Sequence, residues 1–133
     1  KVGEGFGSNG RFKNYELIAH LLESWGADEV GESGYSFMGA VVGATHSMQA
    51  GELRKLLPRT IFLVPGYGAQ GAGSKEVKPC FNVDGLGAIV NSSRGIIFAY
   101  QQPGYAERFA PENYADAARE AAEKMAGELR KAA

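Results

Sequence analysis

The sequence predicts an α/β fold in which short parallel strands alternate with helices. Three runs, residues 39–45, 60–64 and 88–91, consist almost wholly of small or apolar residues. They lack the alternation typical of a strand with one face in water, and they therefore resemble strands covered on both faces. Segments with helical spacing or turn signals separate them, which indicates a parallel sheet with crossover helices.

The first two helices are predicted from apolar spacing and from their end signals. The first begins at Asn14, and Gly26 suits its C-terminal cap. The second has Ser47 as its predicted N-cap and stops at Pro58. The residues expected to face the core are, in the first, Ile18, Leu21, Leu22 and Trp25, and in the second, Leu53, Leu56 and Leu57.

The second half of the chain contains a short helix and a long one. Residues 74–81 suit a short helix whose end is left open by Pro79, and residues 96–100 either begin a helix or extend the buried layer. After a loop over residues 101–110, Pro111 fits the first turn of the last helix. Its predicted apolar stripe is Tyr114, Ala118, Ala121, Ala122, Met125 and Leu129. The helix glutamates, Glu16, Glu23, Glu120, Glu123 and Glu128, are interpreted as solvated.

Length and strand count indicate part of a barrel. The chain has 133 residues, which suits one domain, but three strands would leave a parallel sheet with bare edges and an uncovered face. A complete (β/α)8 barrel takes about 250 residues and often binds phosphate under the loops after its last two strands. We therefore expect residues 14–133 to be the C-terminal half of such a TIM barrel. Residues 1–13, which are rich in glycine and lack an initiator Met, are expected to be a loop or linker left from a truncated or nicked N-terminal half.

Composition narrows the classes of partner and compartment. The net charge of −1 gives no reason to expect nucleic acid, and no apolar run approaches the roughly 20 residues of a membrane span. The single cysteine, Cys80, excludes an internal disulfide and a cysteine-based metal cluster, and it is compatible with a reducing cytoplasm.

The chemistry is predicted at the ends of the last two strands. Residues 62–71 read Phe-Leu-Val-Pro-Gly-Tyr-Gly-Ala-Gln-Gly, and residues 87–95 read Gly-Ala-Ile-Val-Asn-Ser-Ser-Arg-Gly. Free backbone N–H groups, the amide of Gln70 and the guanidinium of Arg94 would together form a phosphate cradle. Taken singly, Gln70 could be a plain turn residue and Arg94 could pair with a surface carboxylate. His46, which directly follows a strand, is read as structural rather than catalytic.

These motifs, together with Val-Val-Gly-Ala-Thr at residues 41–45, resemble the C-terminal half of orotidine 5′-phosphate decarboxylase, in the bacterial branch with an Asn-Ser-Ser-Arg-Gly motif. The resemblance covers roughly residues 14–131. It implies strands six to eight of the barrel and a cytoplasmic, homodimeric lyase of pyrimidine biosynthesis. That enzyme converts orotidine monophosphate to uridine monophosphate without cofactor or metal.

The resemblance also implies roles for particular residues. Gln70, Ser93 and Arg94 would bind the substrate phosphate. Pro65, Gly66 and Thr45 would line the pyrimidine and ribose side of the pocket.

One part of the family pattern is absent. The catalytic Asp-x-Lys-x-x-Asp pattern has no match here, so we expect no catalytic residue in this chain and none of the activity from it alone. If the protein is active, the Lys and Asp would come from a separate N-terminal fragment of the same enzyme, from residues outside this sequence, or from a nicked parent chain. Two alternatives stay open: a non-catalytic phosphate- or nucleotide-binding half-barrel that self-associates, and another phosphate-binding barrel enzyme.

Overall fold

The computed structural model describes residues 13–68 and 71–132 and contains five helices and one parallel sheet in that part of the chain. Single 3₁₀ turns follow α3, follow α4 and precede α5. In chain order the elements are α1 (Asn14–Gly26), β1 (Gly39–Val41), α2 (Ser47–Leu56), β2 (Ile61–Pro65), α3 (Ser74–Val77), β3 (Ala88–Asn91), α4 (Ser93–Ile97) and α5 (Tyr114–Ala132).

The sheet has the order β1-β2-β3, with both pairs parallel, as the sequence predicts. Val41 pairs with Leu63, and Leu63 pairs with Ile89, so these three residues form one row across the sheet. Hydrogen bonding continues beyond β1, because the amides of Val42 and Ala44 donate to carbonyls of β2 at 2.9 and 3.0 Å. The strand predicted over residues 39–45 is therefore only three residues long, but its hydrogen bonding to β2 continues as far as Ala44.

The two faces of the sheet differ in burial. Phe62 and Val64 are fully buried on the face that packs against the helices. On the opposite face Val41, Leu63 and Ile89 are 72%, 43% and 60% exposed, and nothing in the described part of the chain covers them. One face of the sheet is thus bare within the described residues, as the sequence predicts for a three-stranded portion of a barrel. The physical reason is that successive side chains of a strand point to opposite faces, and the helices described here cover only one of them.

The core lies between the sheet and the helices. It is formed by Ala50 of α2, by Leu57 directly after that helix, by Phe62 and Val64 of β2 and by Met125 of α5. Smaller residues fill the space between them. A second, smaller cluster joins Ala99 to Ala117 and Ala121 of α5. Alanines on α5 let its backbone approach its neighbours closely.

Three details of the helices differ from the sequence prediction. Gly26 is the last residue of α1 and does not have a positive φ; the side chain of Ser36 packs where a Cβ would stand. Ser47 is the first helical residue of α2 and makes no capping hydrogen bond, and His46 takes the cap position. Tyr114 is 57% exposed, so the buried stripe of α5 begins at Ala117.

The first helix also buries a different stripe from the predicted one. In α1 the side chain of Ala19 is buried and Leu22 packs against the core. Ile18 and Trp25, which the apolar spacing predicts to face the core, are 53% and 57% exposed. An apolar stripe identifies the helix but does not say what covers it. Among the described residues no helix is long and apolar enough to cross a bilayer.

Candidate functional site

The predicted site residues that the structure describes meet at one edge of the sheet. Parallel strands end at the same edge, and the pairing of Pro65 with Asn91 aligns the ends of β2 and β3. The amide of Ala44 donates to the carbonyl of Pro65 at 3.0 Å, which brings Thr45 beside the same edge. Gly66 follows β2 directly. Thus Thr45, Pro65 and Gly66 lie at the edge from which α4 starts.

Ser93 and Arg94 form the first residues of α4 and are exposed. The hydroxyl of Ser93 donates to Oδ1 of Asn91 at 3.3 Å, and the carbonyl of Arg94 accepts from the Gln102 side chain at 3.0 Å. Within the residues that the structure describes, no carboxylate forms an ion pair with the Arg94 guanidinium. A pairing of Arg94 with a surface carboxylate, which the sequence leaves open, therefore has no support there.

The loop after β2 is held in a closed turn by its backbone. Its φ angles of 105° at Gly66 and 73° at Gly68 lie in the region that favours glycine. The amide of Gly68 donates to the carbonyl of Ala72, and the amide of Gly71 donates to the carbonyl of Gly68, both at 2.8 Å. Gln70 itself lies outside the described residues, as do residues 1–12, so the structure gives no position for the predicted amide ligand.

Ser92 joins this loop to the neighbouring strand end. Its hydroxyl donates to the carbonyl of Tyr67 at 3.0 Å, and the residue is 7% exposed. A Cβ on Gly95 would overlap the same hydroxyl, whereas one on Gly68 would meet it at an ordinary 3.6 Å. Glycine at position 95 therefore makes room for the contact between the two loops.

Tyr67 extends the connection to α5. The phenol is 8% exposed and donates to Oε2 of Glu128 at 2.6 Å. Burial, and then the hydrogen bond with Glu128, raise the pKa of Tyr67 to about 12, so the phenol stays protonated and able to donate at neutral pH. Glu128 is exposed but bonded, and the interpretation of this glutamate as simply solvated is incomplete.

Sequence reasoning missed Tyr67, Ser92 and Glu128 as contributors to the site. The burial of Tyr67 has a signal in the sequence: a turn between two glycines does not itself require a large aromatic side chain, so its presence indicates a packing contact. Nothing in the sequence points to Glu128, which lies 61 residues away and on a helix rich in other acids. The contact between Glu128 and Tyr67 depends on where α5 lies relative to the loop after β2.

Two cavities lie near this edge. One of about 190 Å³ lies behind the loops, between Tyr67, Ser92 and α5, and Lys124 and Met125 contribute to its lining. Another of about 310 Å³ lies between α1 and α2 beside β1, where Tyr15 and His46 line it. It does not include Ser93 or Arg94. Among the described residues no three His, Cys, Asp or Glu side chains are grouped so that they could share a metal ion.

Comparison with curated proteins finds relatives over most of the chain. The orotidine 5′-phosphate decarboxylase of Rhodopirellula baltica is 40% identical over 116 residues, which make up 87% of this chain and 38% of that protein. The protein of the same name from Clostridium novyi is 42% identical over 115 residues, or 86% of this chain and 38% of its own length. This chain spans about two fifths of the length of these relatives. No model of a known protein family matches it.

Solved structures give the same answer about the fold. The OMP decarboxylase of Leishmania donovani is 26% identical, with a TM-score of 0.59 over 90% of this chain and 41% of that one. The UMP synthase of the same organism is 29% identical, with a TM-score of 0.60 over 90% of this chain and 24% of that one. The resemblance to orotidine 5′-phosphate decarboxylase that the sequence motifs predict is confirmed, and the chain has the α/β architecture of part of that barrel.

Proposed function

We propose that this chain supplies the phosphate-binding part and one side of the pyrimidine pocket of an orotidine 5′-phosphate decarboxylase, a lyase that forms uridine monophosphate in pyrimidine biosynthesis. The observation that carries the proposal is the meeting of Thr45, Pro65, Gly66, Ser93 and Arg94 at one edge of a parallel sheet. The relatives that match the chain bear the name of this enzyme.

The phosphate end of the substrate would lie between the two loops. Arg94 is exposed and has no carboxylate partner in the described structure, so its guanidinium is available for a charge-assisted contact with a phosphate. Ser93 and the backbone around it would contribute hydrogen bonds, and Gln70 would reach the phosphate from the other loop. Such remote contacts supply binding energy that can be used at the reacting carbon.

The reaction itself needs an arrangement of Lys and Asp whose sequence pattern this chain lacks. Loss of carbon dioxide leaves a carbanion on the pyrimidine ring, which a nearby ammonium can stabilise and then protonate. The Asp-x-Lys-x-x-Asp pattern is absent from these 133 residues. The catalytic Lys and Asp therefore belong to an N-terminal part, on the same or a separate polypeptide, that completes the barrel.

The open face of the sheet supports completion by further strands. Val41, Leu63 and Ile89 form an apolar row of the kind that fills the interior of a barrel. A homodimer in the cytoplasm is the assembly and place that the resemblance implies, and the buried free thiol of Cys80 fits a reducing compartment.

The decisive experiment is a chimera in which this chain replaces the matching segment of the R. baltica enzyme. We expect the chimera to decarboxylate orotidine monophosphate and the isolated chain to have no activity. Arg94→Ala should lower kcat/KM by roughly a hundredfold, the loss of a charge-assisted contact. Arg119→Ala, which removes an exposed arginine paired with Asp116, is the matched control. A folded but inactive chimera would contradict the proposal, and unchanged kcat/KM in Arg94→Ala would remove the phosphate assignment.

A second candidate is a non-catalytic half-barrel that binds a nucleotide and pairs with its own copy. The same apolar row favours it, because a second copy could cover that face as well as further strands could. Sedimentation of the isolated chain with and without uridine monophosphate separates the two. A stable dimer that binds the nucleotide tightly, together with an inactive chimera, would support this second function.

A further inference from the structure

We propose that Tyr67 is a positioning residue, which holds the loop after β2 in the conformation that receives a phosphate-bearing substrate by means of its hydrogen bond to Glu128 of α5. The inference rests on the proposed function, because it assigns to that loop the contact with phosphate. Neither residue is expected to touch the substrate.

Tyr67 is fixed at three points. Its hydroxyl donates to Glu128 at 2.6 Å, its carbonyl accepts from Ser92 at 3.0 Å, and its backbone forms a bridge with Ala72 at the other end of the loop. The side chain is 8% exposed. These contacts tie the loop to β3 on one side and to α5 on the other.

The loop needs such fixing because its own composition favours many conformations. Gly66, Gly68 and Gly71 all have positive φ, and glycine loses more conformational freedom on ordering than any other residue. A loop ordered before the substrate arrives does not have to be ordered by it, and affinity rises accordingly. Among the described residues of the loop, Tyr67 is the one whose side chain forms a hydrogen bond to another element, the helix α5.

The bond to Glu128 is also of the stronger kind. A phenol that donates to a carboxylate forms a short charge-assisted hydrogen bond, and partial burial protects it from competing water. No cation in the described structure forms an ion pair with Glu128, although Lys124 lines the same cavity one helical turn earlier. The carboxylate is therefore left to the phenol.

The test compares two substrates in the chimera. Tyr67→Phe should lower kcat/KM for orotidine monophosphate about tenfold and leave kcat/KM for phosphate-free orotidine unchanged within twofold. A residue that only stabilises the fold would affect both substrates alike. Tyr105→Phe is the matched control, because Tyr105 lines the same cavity and its hydroxyl has no hydrogen bond in the described structure. Glu128→Gln keeps an acceptor oxygen for the phenol. Its loss of kcat/KM for orotidine monophosphate should therefore lie between that of Tyr105→Phe and that of Tyr67→Phe.

A second readout does not depend on activity. In the 133-residue chain, amide hydrogen exchange at Gly68 and Gly71 should become at least tenfold faster in Tyr67→Phe, and amides within α5 should keep their rates. Equal losses for the two substrates, or unchanged exchange at both glycines, would overturn the inference. If the parent chimera is inactive but the exchange result is as expected, the proposed function is contradicted, whereas the anchoring of the loop by Tyr67 is supported.

Discussion

The guanidinium of Arg54 lies over the ring of Phe62, with its carbon 3.8 Å from the ring centroid. Arg54 belongs to α2 and is only 7% exposed. It donates to the carbonyls of Cys80, Gly87 and Thr60 at 3.2, 3.0 and 2.6 Å and to that of Leu57. These carbonyls lie in the segments that lead into β2 and β3. One buried cation thus fixes the end of the sheet opposite the candidate site.

Arg54→Met should destabilise the protein substantially. The change removes the arginine donors from four buried carbonyls, although those of Gly87 and Leu57 still accept from the backbone amides of Phe62 and Thr60. We expect a loss of about 3 kcal/mol in the free energy of unfolding. Urea unfolding measures it. Arg59→Met is the control, because Arg59 forms a half-exposed ion pair with Glu23 and should cost less than about 1 kcal/mol. Similar losses in the two variants would show that the carbonyl contacts contribute little.

Two glycine-to-alanine changes in helices should have opposite signs. Gly95→Ala places a methyl group against the Ser92 hydroxyl and should cost about 1–3 kcal/mol, because Ser92 must move and release Tyr67. Gly127→Ala, in α5 with no atom near the new methyl group, should stabilise by about 0.5–1 kcal/mol. Thermal or urea unfolding of both variants checks the signs. A stabilised Gly95→Ala would contradict the close contact with Ser92.

Cys80 should be unreactive and should make the protein sensitive to alkali. Burial raises the pKa of its thiol to about 11 from an ordinary 9.0. The unfolded chain therefore loses this proton first, so the contribution is complete below pH 9 and is lost as pH rises from 9 to 11. We expect a thiol reagent to label Cys80 only after unfolding, and Cys80→Ala to lose less stability between pH 8 and 10.5 than the parent. Rapid labelling of the native protein at pH 8 would contradict the burial.

The bare face of the sheet predicts an effect that depends on context. Leu63→Lys should change the unfolding free energy of the isolated chain by less than about 1 kcal/mol, because position 63 is 43% exposed. In the chimera the same lysine would be buried without a partner and should cost at least about 3 kcal/mol. Val64→Ala, on the covered face, should cost about 2 kcal/mol in both. Equal costs of Leu63→Lys in the two proteins would argue against completion of the barrel on this face.

Much of the architecture is local in origin, and for that reason the sequence predicts it. Apolar spacing and end signals give the bounds of α1, and the short apolar run gives β3 at Ala88–Asn91 as observed. Pro79 ends α3 early, because it lacks the N–H that an α-helix interior needs, and a 3₁₀ turn follows. The glycines after β2 predict a loop, and three of them have the positive φ that only glycine adopts readily.

The contacts between these elements depend on how the chain folds in space. The sequence alone predicts that parallel strands carry Thr45, Pro65 and Arg94 at or just after their ends, and parallel pairing brings those ends together. It could not assign Arg54 to its carbonyls or Tyr67 to Glu128, whose residues are up to 61 positions apart. Such contacts depend on how helices lie on the sheet, because a side chain's partner is set by distance in space, whereas sequence patterns record only neighbours along the chain.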